Sequence, residues 1–427
     1  MRYYSLNNSS PLTSFKKAVQ NGIAPDRGLY FPEEITPISE DFINNISDYS
    51  NEEIAYEVIK QFIGDEIPAP ILKEIIKKTI SFDFPVVNLD ENIGSLELFH
   101  GPTMAFKDVG ARFMSQCLEY FNQSKTEDIT VLVATSGDTG GAVANGFLNA
   151  KGVQVVILYP KGKVSEIQEK QLTTLGNNIT ALEVDGVFDD CQEMVKSAFL
   201  DKNISRNLTS ANSINVARWL PQMFYFFFAY KQVANQYKDV VFSVPSGNFG
   251  NICAGLLAQK LGLPIKHFVA STNINDTVPQ YLIKGNYDPK PSKATISNAM
   301  DVGNPSNFIR IQELFDNNLS SLKKSFSSYS FSDDETKIMM KSIHDKFNYI
   351  SEPHGAIGYL GLKKHGLKTN EFGVFLETAH PVKFLQVVEE TLTVNVEIPP
   401  QIKQVMSKEK VSILISNYQD LKNFLNK

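Results

Sequence analysis

Between Thr126 and Asp201 the chain alternates apolar runs with amphipathic stretches, and this restricts the fold more than any other feature. ITVLVATS is followed by GGAVANGFLNAKG, VQVVILYP by VSEIQEKQLTTLGN, and NITALEVDG by FDDCQEMVKSAFLD. The apolar runs are continuous rather than alternating, the pattern of strands covered on both faces. Strand and helix in turn, with strands of that kind, predicts a parallel sheet between layers of helices. Ser165 and Gln168 stand at the spacing of a capping box at the head of one covering helix. A long apolar helix is expected from Val216 to Tyr237, and a second α/β stretch begins at DVVFSVPSGNFGN and runs on through PIKHFVAST and EFGVFLETAHP. Ser332 with Glu335 predicts another capped helix, DDETKIMMKSIHDKF. Before residue 95 the texture differs, with helical patterns in NEEIAYEVIKQFIG and APILKEIIKKTI. The expected fold is α/β, with two parallel-sheet domains and an added N-terminal helical domain, divided at 1–95, 96–237 and 238–427. A chain of 427 residues suffices for two or three domains and a cleft between them. Ligands of such sheets bind beyond the carboxyl ends of the strands.

Charge and composition exclude several function classes. A net charge of −6 leaves no basic excess to neutralise a phosphate backbone, so nucleic acid is not an expected partner. Cys117, Cys191 and Cys253 are far apart and odd in number, which suits reduced thiols in a cytoplasmic protein. The six histidines contain no pair at i, i+4, and no metal site is expected. The longest aromatic run, Met223 to Tyr230 (MFYFFFAY), falls far short of the ~20 apolar residues that span a bilayer, so no membrane partner is expected. The start, MRYYSLNNSSPLTSFKK, lacks the pattern of a signal peptide.

Two segments repeat one design, an apolar strand, then Ser-Gly-x-x-Gly, then a helix: VLVATSGDTGG (Val131 to Gly141) and VFSVPSGNFGN (Val241 to Asn251). Glycine lets backbone N–H groups approach a ligand closely, and a helix N-terminus adds partial positive charge, so each is a candidate anion site. Neither ends in the Gly-Lys-Ser/Thr of a nucleotide loop, and neither gives the Gly-x-Gly-x-x-Gly of a dinucleotide fold. Singly, such a turn is ordinarily only a turn. The third segment is LFHGPTMAFKDVGARFMSQCLEYF, where Phe106, Val109, Phe113, Cys117 and Phe121 recur at helical spacing and Thr103 is placed to cap. Lys107 then falls in the first turn, where the dipole and partial burial both disfavour an ammonium ion. A lowered pKa makes its amine nucleophilic enough to condense with an aldehyde. A lone lysine in a first turn is ordinarily a solvated surface residue; this one is accompanied by two anion loops. His354 and His380 lie in Pro-flanked turns and read as structural hydrogen-bonders.

Together these segments resemble the bacterial long-type threonine synthases. HGPTMAFKD resembles the cofactor-lysine motif of that family, SGDTG its substrate loop and PSGNFGN its cofactor-phosphate loop. Similar matches continue through SANSINVAR, NDTVP, NAMD, SEPH and TAHPVKF, so the resemblance runs from GLYFP near residue 30 to about residue 385. It implies the pyridoxal-phosphate fold of type II, with Lys107 carrying pyridoxal 5'-phosphate as a Schiff base. Gly247, Asn248, Phe249 and Asn251 would surround the cofactor phosphate, and Thr378 would bond the ring nitrogen. Ser136 and Thr139 would receive the substrate carboxylate; alone, they read as caps of the following helix. Ser213, Asn215 and Arg218 would hold the substrate phosphate. Asp138 stands where many relatives of the fold have Asn, and Glu377 precedes Thr378 where Gly or Ser is commoner. The implied reaction converts O-phosphohomoserine and water to L-threonine and phosphate, in a cytoplasmic monomer or homodimer. A phospholyase releasing 2-oxobutyrate is the nearest alternative. A catalytically silent binding homologue is another, against which the retained Lys107 argues.

Overall fold

In the computed structural model, which describes residues 1–123, 128–237 and 239–427, the chain opens with three short strands: β1 (Arg2–Ser5), β2 (Thr13–Ser14) and β3 (Tyr30–Pro32). They pair antiparallel in the order β2-β1-β3. The sequence pattern predicts only helices in this region, because runs of two to four residues are too short to display a period of two. The expected helices follow at Asn51–Ile63 and Ala69–Thr79, the first opened by a capping box between Ser50 and Glu53. Their apolar faces bury Ile54, Val58, Phe62, Leu72 and Ile76.

Two sheets carry the rest of the molecule. A six-stranded sheet contains β4 (Val86–Asp90), β5 (Ile93–Glu97), β10 (Asp239–Pro245), β11 (Ile265–Thr272), β12 (Phe326–Ser330) and β13 (Glu371–Glu377), in the order β12-β11-β10-β13-β5-β4. All its neighbours are parallel except β4, which returns antiparallel at the edge. A five-stranded, wholly parallel sheet contains β6 (Ile129–Ala134), β7 (Val153–Pro160), β8 (Ile179–Val184), β9 (Asn207–Ser210) and β14 (Ile413–Ile415), in the order β14-β8-β7-β6-β9. The continuous apolar runs are the central strands, and every residue of β6 and β13 is buried. Thr126, where the alternation is counted from, and Lys238, at the head of the third expected segment, lie outside the described residues.

Sheet membership cuts across chain order. β5 runs through the boundary expected at residues 95 and 96 and pairs with β13, while β14, near the C-terminus, pairs with β8. The helix expected from Val216 to Tyr237 is interrupted: a short helix Val216–Trp219, a 3-10 turn Leu220–Gln222, then a helix Met223–Val233. Pro221 supplies the reason, since it has no N–H and its ring obstructs the preceding turn. The second helix is buried from Met223 to Ala229, as a helix apolar on all faces must be. Among the described residues no helix is long and apolar enough to cross a membrane.

Candidate active site

Lys107 is the first residue of the helix Lys107–Asn122. Thr103 does not cap that helix as expected. The Asp108 carboxylate instead reaches back, accepting from Thr103 N at 2.9 Å and from the Thr103 hydroxyl at 2.5 Å, and Phe106 at the N-cap makes no side-chain hydrogen bond. The segment before the helix is fixed to the end of β13: Phe106 N donates to Thr378 O at 2.9 Å, His380 N donates to Met104 O at 3.0 Å, and Ala105 bridges Ala379. Thr378 is thereby held beside the start of the lysine helix. Lys107 is partly exposed, where the flanking Ala105 and Asp108 are buried. Desolvation lowers its pKa, with Asp138 opposing the shift and the charges of Arg218 and Lys383 reinforcing it.

The two glycine loops leave the carboxyl ends of β6 and β10. In the first, the Thr135 hydroxyl accepts from Gly137 N at 2.9 Å and Gly140 N at 2.8 Å, closing the turn. Gly137 has φ +142°, outside the range of L side chains, and a Cβ there would stand 2.4 Å from Gln168. The helix Asp138–Gly146 has no side-chain cap, so Ser136 and Thr139 are not used as caps. In the second loop, a Cβ on Gly247 would lie 2.6 Å from Met300 Cα, and Phe249 takes the left-handed conformation at φ 60°. The helix Gly250–Lys260 also lacks a side-chain cap. Asn251 Nδ2 donates to Pro245 O at 2.9 Å.

Ser213 links a third segment to this loop, its hydroxyl accepting from Asn248 Nδ2 at 2.9 Å and Asn307 Nδ2 at 3.0 Å. Arg218 is 4% exposed; its Nη1 donates to Ala211 O at 2.5 Å, and its Nε has no hydrogen-bond partner among the described residues. Burial lowers its pKa to about 10, which still leaves it charged at neutral pH. Asn215 is different. Its Oδ1 accepts from Ala217 N, and its Nδ2 donates to Val19 O and Ser210 O, so both ends of the amide are committed to backbone. Contact between Asn215 and a substrate phosphate would require one of these bonds to break.

Comparison with known proteins identifies this arrangement. Residues 92–375 match the pyridoxal-phosphate dependent enzyme family, residues 2–80 the threonine synthase N terminus and residues 355–425 the threonine synthase C-terminal region. The chain is 46% identical to the threonine synthase of Buchnera aphidicola subsp. Baizongia pistaciae, with 100% of this chain and 99% of that one covered. The chain belongs to the threonine synthase family. The crystal structure of threonine synthase from Escherichia coli superposes with a TM-score of 0.94 at 42% identity, covering 100% of this chain and 99% of that one. The pyridoxal-phosphate-bound threonine synthase of Brucella melitensis gives a TM-score of 0.94 at 32% identity, with the same coverage.

This member of the family is thus a lyase dependent on pyridoxal phosphate, and its residues fit that cofactor. A desolvated lysine amine suits an aldehyde, and the uncapped helix start behind Gly247, where a Cβ has no room, suits a phosphate. Behind Thr378 lies Glu377, fully buried, accepting from the Ser351 hydroxyl through Oε1 and with Oε2 unpartnered among the described residues. Burial, then the charge of Glu352, raises its pKa well above the ordinary carboxylate range.

Sequence reasoning passed over three residues that shape the site. Thr135 ties the first loop, Gln168 Nε2 donates to Asp138 Oδ1 at 3.0 Å, and Lys383 Nζ lies 3.1 Å from the same oxygen. The one available signal was Asp138 itself, a carboxylate among small and apolar neighbours that needs a partner if buried. His354 and His380 make local hydrogen bonds: the first pairs with Glu352 at 2.6 Å, and the second accepts from Val382 N.

Proposed function

We propose that the chain converts O-phosphohomoserine and water to L-threonine and inorganic phosphate, with Lys107 as the cofactor lysine and proton carrier. The supporting observation is a match in number between the anions to be bound and the groups that can donate to them. The cofactor phosphate, the substrate carboxylate and the substrate phosphate need three anion sites. Two uncapped helix starts, at Gly250 and Asp138, and the Arg218 guanidinium, whose Nε has no partner among the described residues, supply three.

In this reading Gly247, Asn248, Phe249 and Asn251 hold the cofactor phosphate, and the neutral Thr378 hydroxyl bonds the ring nitrogen. Ser136 and Thr139 take the substrate carboxylate. Ser213 and Arg218 hold the substrate phosphate, and Asn215 acts on them by capping the helix that carries Arg218. Bound pyridoxal phosphate supplies an electron sink that acidifies the carbon next to the amino group. With the cofactor bound, the Lys107 amine would take the Cα proton, pass it on to the bound cofactor and, as a free base again, take a Cβ proton. Arg218 would steady the phosphate as it leaves Cγ, Lys107 would return its proton to Cγ, water would add at Cβ, and Cα would regain its proton. The buried loops keep other water away until that step.

The test is purified protein with O-phosphohomoserine in water enriched in heavy oxygen, measuring phosphate, threonine and 2-oxobutyrate together. The expected product is threonine labelled at its hydroxyl, in amounts matching the phosphate released. Phosphate matched instead by 2-oxobutyrate and ammonia would replace this reading with that of a phospholyase.

A further inference from the structure

Lys383 lies in the 3-10 turn Pro381–Phe384 that follows β13, and its side chain is fully removed from solvent. Its ammonium has three partners from two other parts of the molecule. Asp138 Oδ1, at 3.1 Å, and the Gln171 side-chain oxygen come from helices covering the five-stranded sheet, and Thr103 O, at 3.1 Å, comes from the turn before the lysine helix. Asp138 is in turn held by Gln168 Nε2, and Gln171 Nε2 donates to the same Thr103 O at 3.2 Å. One buried ammonium therefore joins the end of the six-stranded sheet, the substrate loop and the approach to Lys107. None of this is needed to bind a cofactor phosphate or a carboxylate. A buried ion pair is also seldom retained for stability alone, because desolvation offsets much of its attraction.

We propose that Lys383 is a positioning residue for the reaction: with Asp138, Gln171 and the Thr103 carbonyl it forms a buried charge cluster at the approach to the lysine helix, and this cluster sets the electrostatic field at the Lys107 amine. Among the described residues, the charged groups acting on Lys107 are Asp138 on one covering helix, Arg218 on the short helix Val216–Trp219 and Lys383 on the turn after β13; Asp108 is its neighbour on the same helix, and the Tyr225 hydroxyl donates to the carbonyl of the preceding Phe106. Asp138 attracts the proton of Lys107, while Arg218 and Lys383 repel it. Without Lys383, the Asp138 carboxylate would have Lys107 as its remaining cationic neighbour, and the Lys107 amine would hold its proton to higher pH. Without Asp138, the two lysines would face each other and the amine would lose its proton at lower pH.

The proposal rests on Lys107 being the cofactor lysine, which borohydride capture of pyridoxal phosphate on wild type establishes independently. The test reads the amine directly in cofactor-free protein, by trace acetylation of Lys107 across a pH series followed by peptide mass spectrometry. A change in access alters the rate at every pH, whereas a change in charge moves the midpoint. K383M is expected to raise the midpoint by about one pH unit, about a tenfold loss of free amine at a given pH below it. K383R should keep the midpoint near that of wild type, and D138N should lower it. The double variant D138N/K383M, with no unpaired buried charge, covers the case in which K383M alone does not fold; its midpoint should lie above that of D138N. A K383M midpoint equal to wild type, or equal midpoints for D138N and the double variant, would overturn the proposal.

Discussion

Two lysines stand within one site, and their surroundings assign them opposite tasks. Lys107 is partly exposed, has no hydrogen-bonded anion among the described residues and has its pKa lowered by desolvation; Lys383 is saturated by Asp138, Gln171 and Thr103. Lys107→Ala removes no core volume and should leave the fold intact, while borohydride no longer attaches pyridoxal phosphate to the peptide 100–121 and turnover is lost. Normal turnover in that variant would mean another lysine carries the cofactor. Arg218→Ala should weaken O-phosphohomoserine binding by ~2–5 kcal/mol, the cost of losing a charge-assisted contact in a desolvated place, and affect cofactor affinity far less. Calorimetric titration of each ligand separates the two. Glu377 gives a pH prediction. Its folded pKa is raised, so between the ordinary carboxylate range and that raised value the folded state binds more protons than the unfolded. Stability must therefore fall as pH rises through this window. Glu377→Gln removes the titration, and urea unfolding at several pH values from about 5 upward should show the variant gaining on wild type as pH rises. Parallel curves would mean Glu377 is ionised in the fold.

The elements around the site differ in how much of their geometry is local. The capping boxes at Ser165 and Ser332 form as expected, because a hydroxyl and an acceptor three residues on need nothing from the rest of the chain. The cap expected from Thr103 fails because Asp108 competes for it and the turn is pinned to the end of β13. The glycine loops combine both levels: a turn is legible from Ser-Gly-x-x-Gly, but the backbone or side chain that crowds each glycine is not. Gly247→Ala drives a Cβ toward the Met300 backbone at 2.6 Å, which cannot yield cheaply, and should weaken cofactor binding by ~1–3 kcal/mol. Gly137→Ala combines an unfavourable φ with a Cβ 2.4 Å from Gln168, so it should raise KM for the phosphate ester and leave cofactor retention nearly unchanged. Equilibrium dialysis with pyridoxal phosphate and steady-state kinetics of both variants would show whether the two loops divide the labour this way.

At the scale of the whole molecule, the C-terminal segment supports a sheet formed by residues far before it. β14 extends the five-stranded sheet beside β8, and the helix Tyr418–Leu425 buries Leu421 and Leu425 in a cluster with Leu182, Val184, Cys191 and Met194. Removing residues 408–427 strips Ile415, Leu421 and Leu425 from that cluster, a loss on the order of 5 kcal/mol at ~1.5–3 kcal/mol for each buried side chain. The expected result is a lower Tm and faster amide exchange in β8, with β10 and β11 of the other sheet much less affected. Equal exchange in both sheets would mean that the two sheets unfold as one unit.

The α/β class, the parallel sheets, the two glycine loops and the position of Lys107 at a helix start could all be read from the chain, because continuous apolar runs, helical spacing and glycine turns act over a few residues. Family resemblance added the cofactor and a role for each site residue. Only the tertiary structure decided that β5 belongs with β13 and β14 with β8, that Asn215 has both ends of its amide bound to backbone, and that Lys383 meets Asp138 beside Lys107. The physical reason is the same in each case. Burial and charge pairing depend on which distant segments pack together, and Lys383 becomes a buried ion only where the helices holding Asp138 and Gln171 pack against the turn after β13.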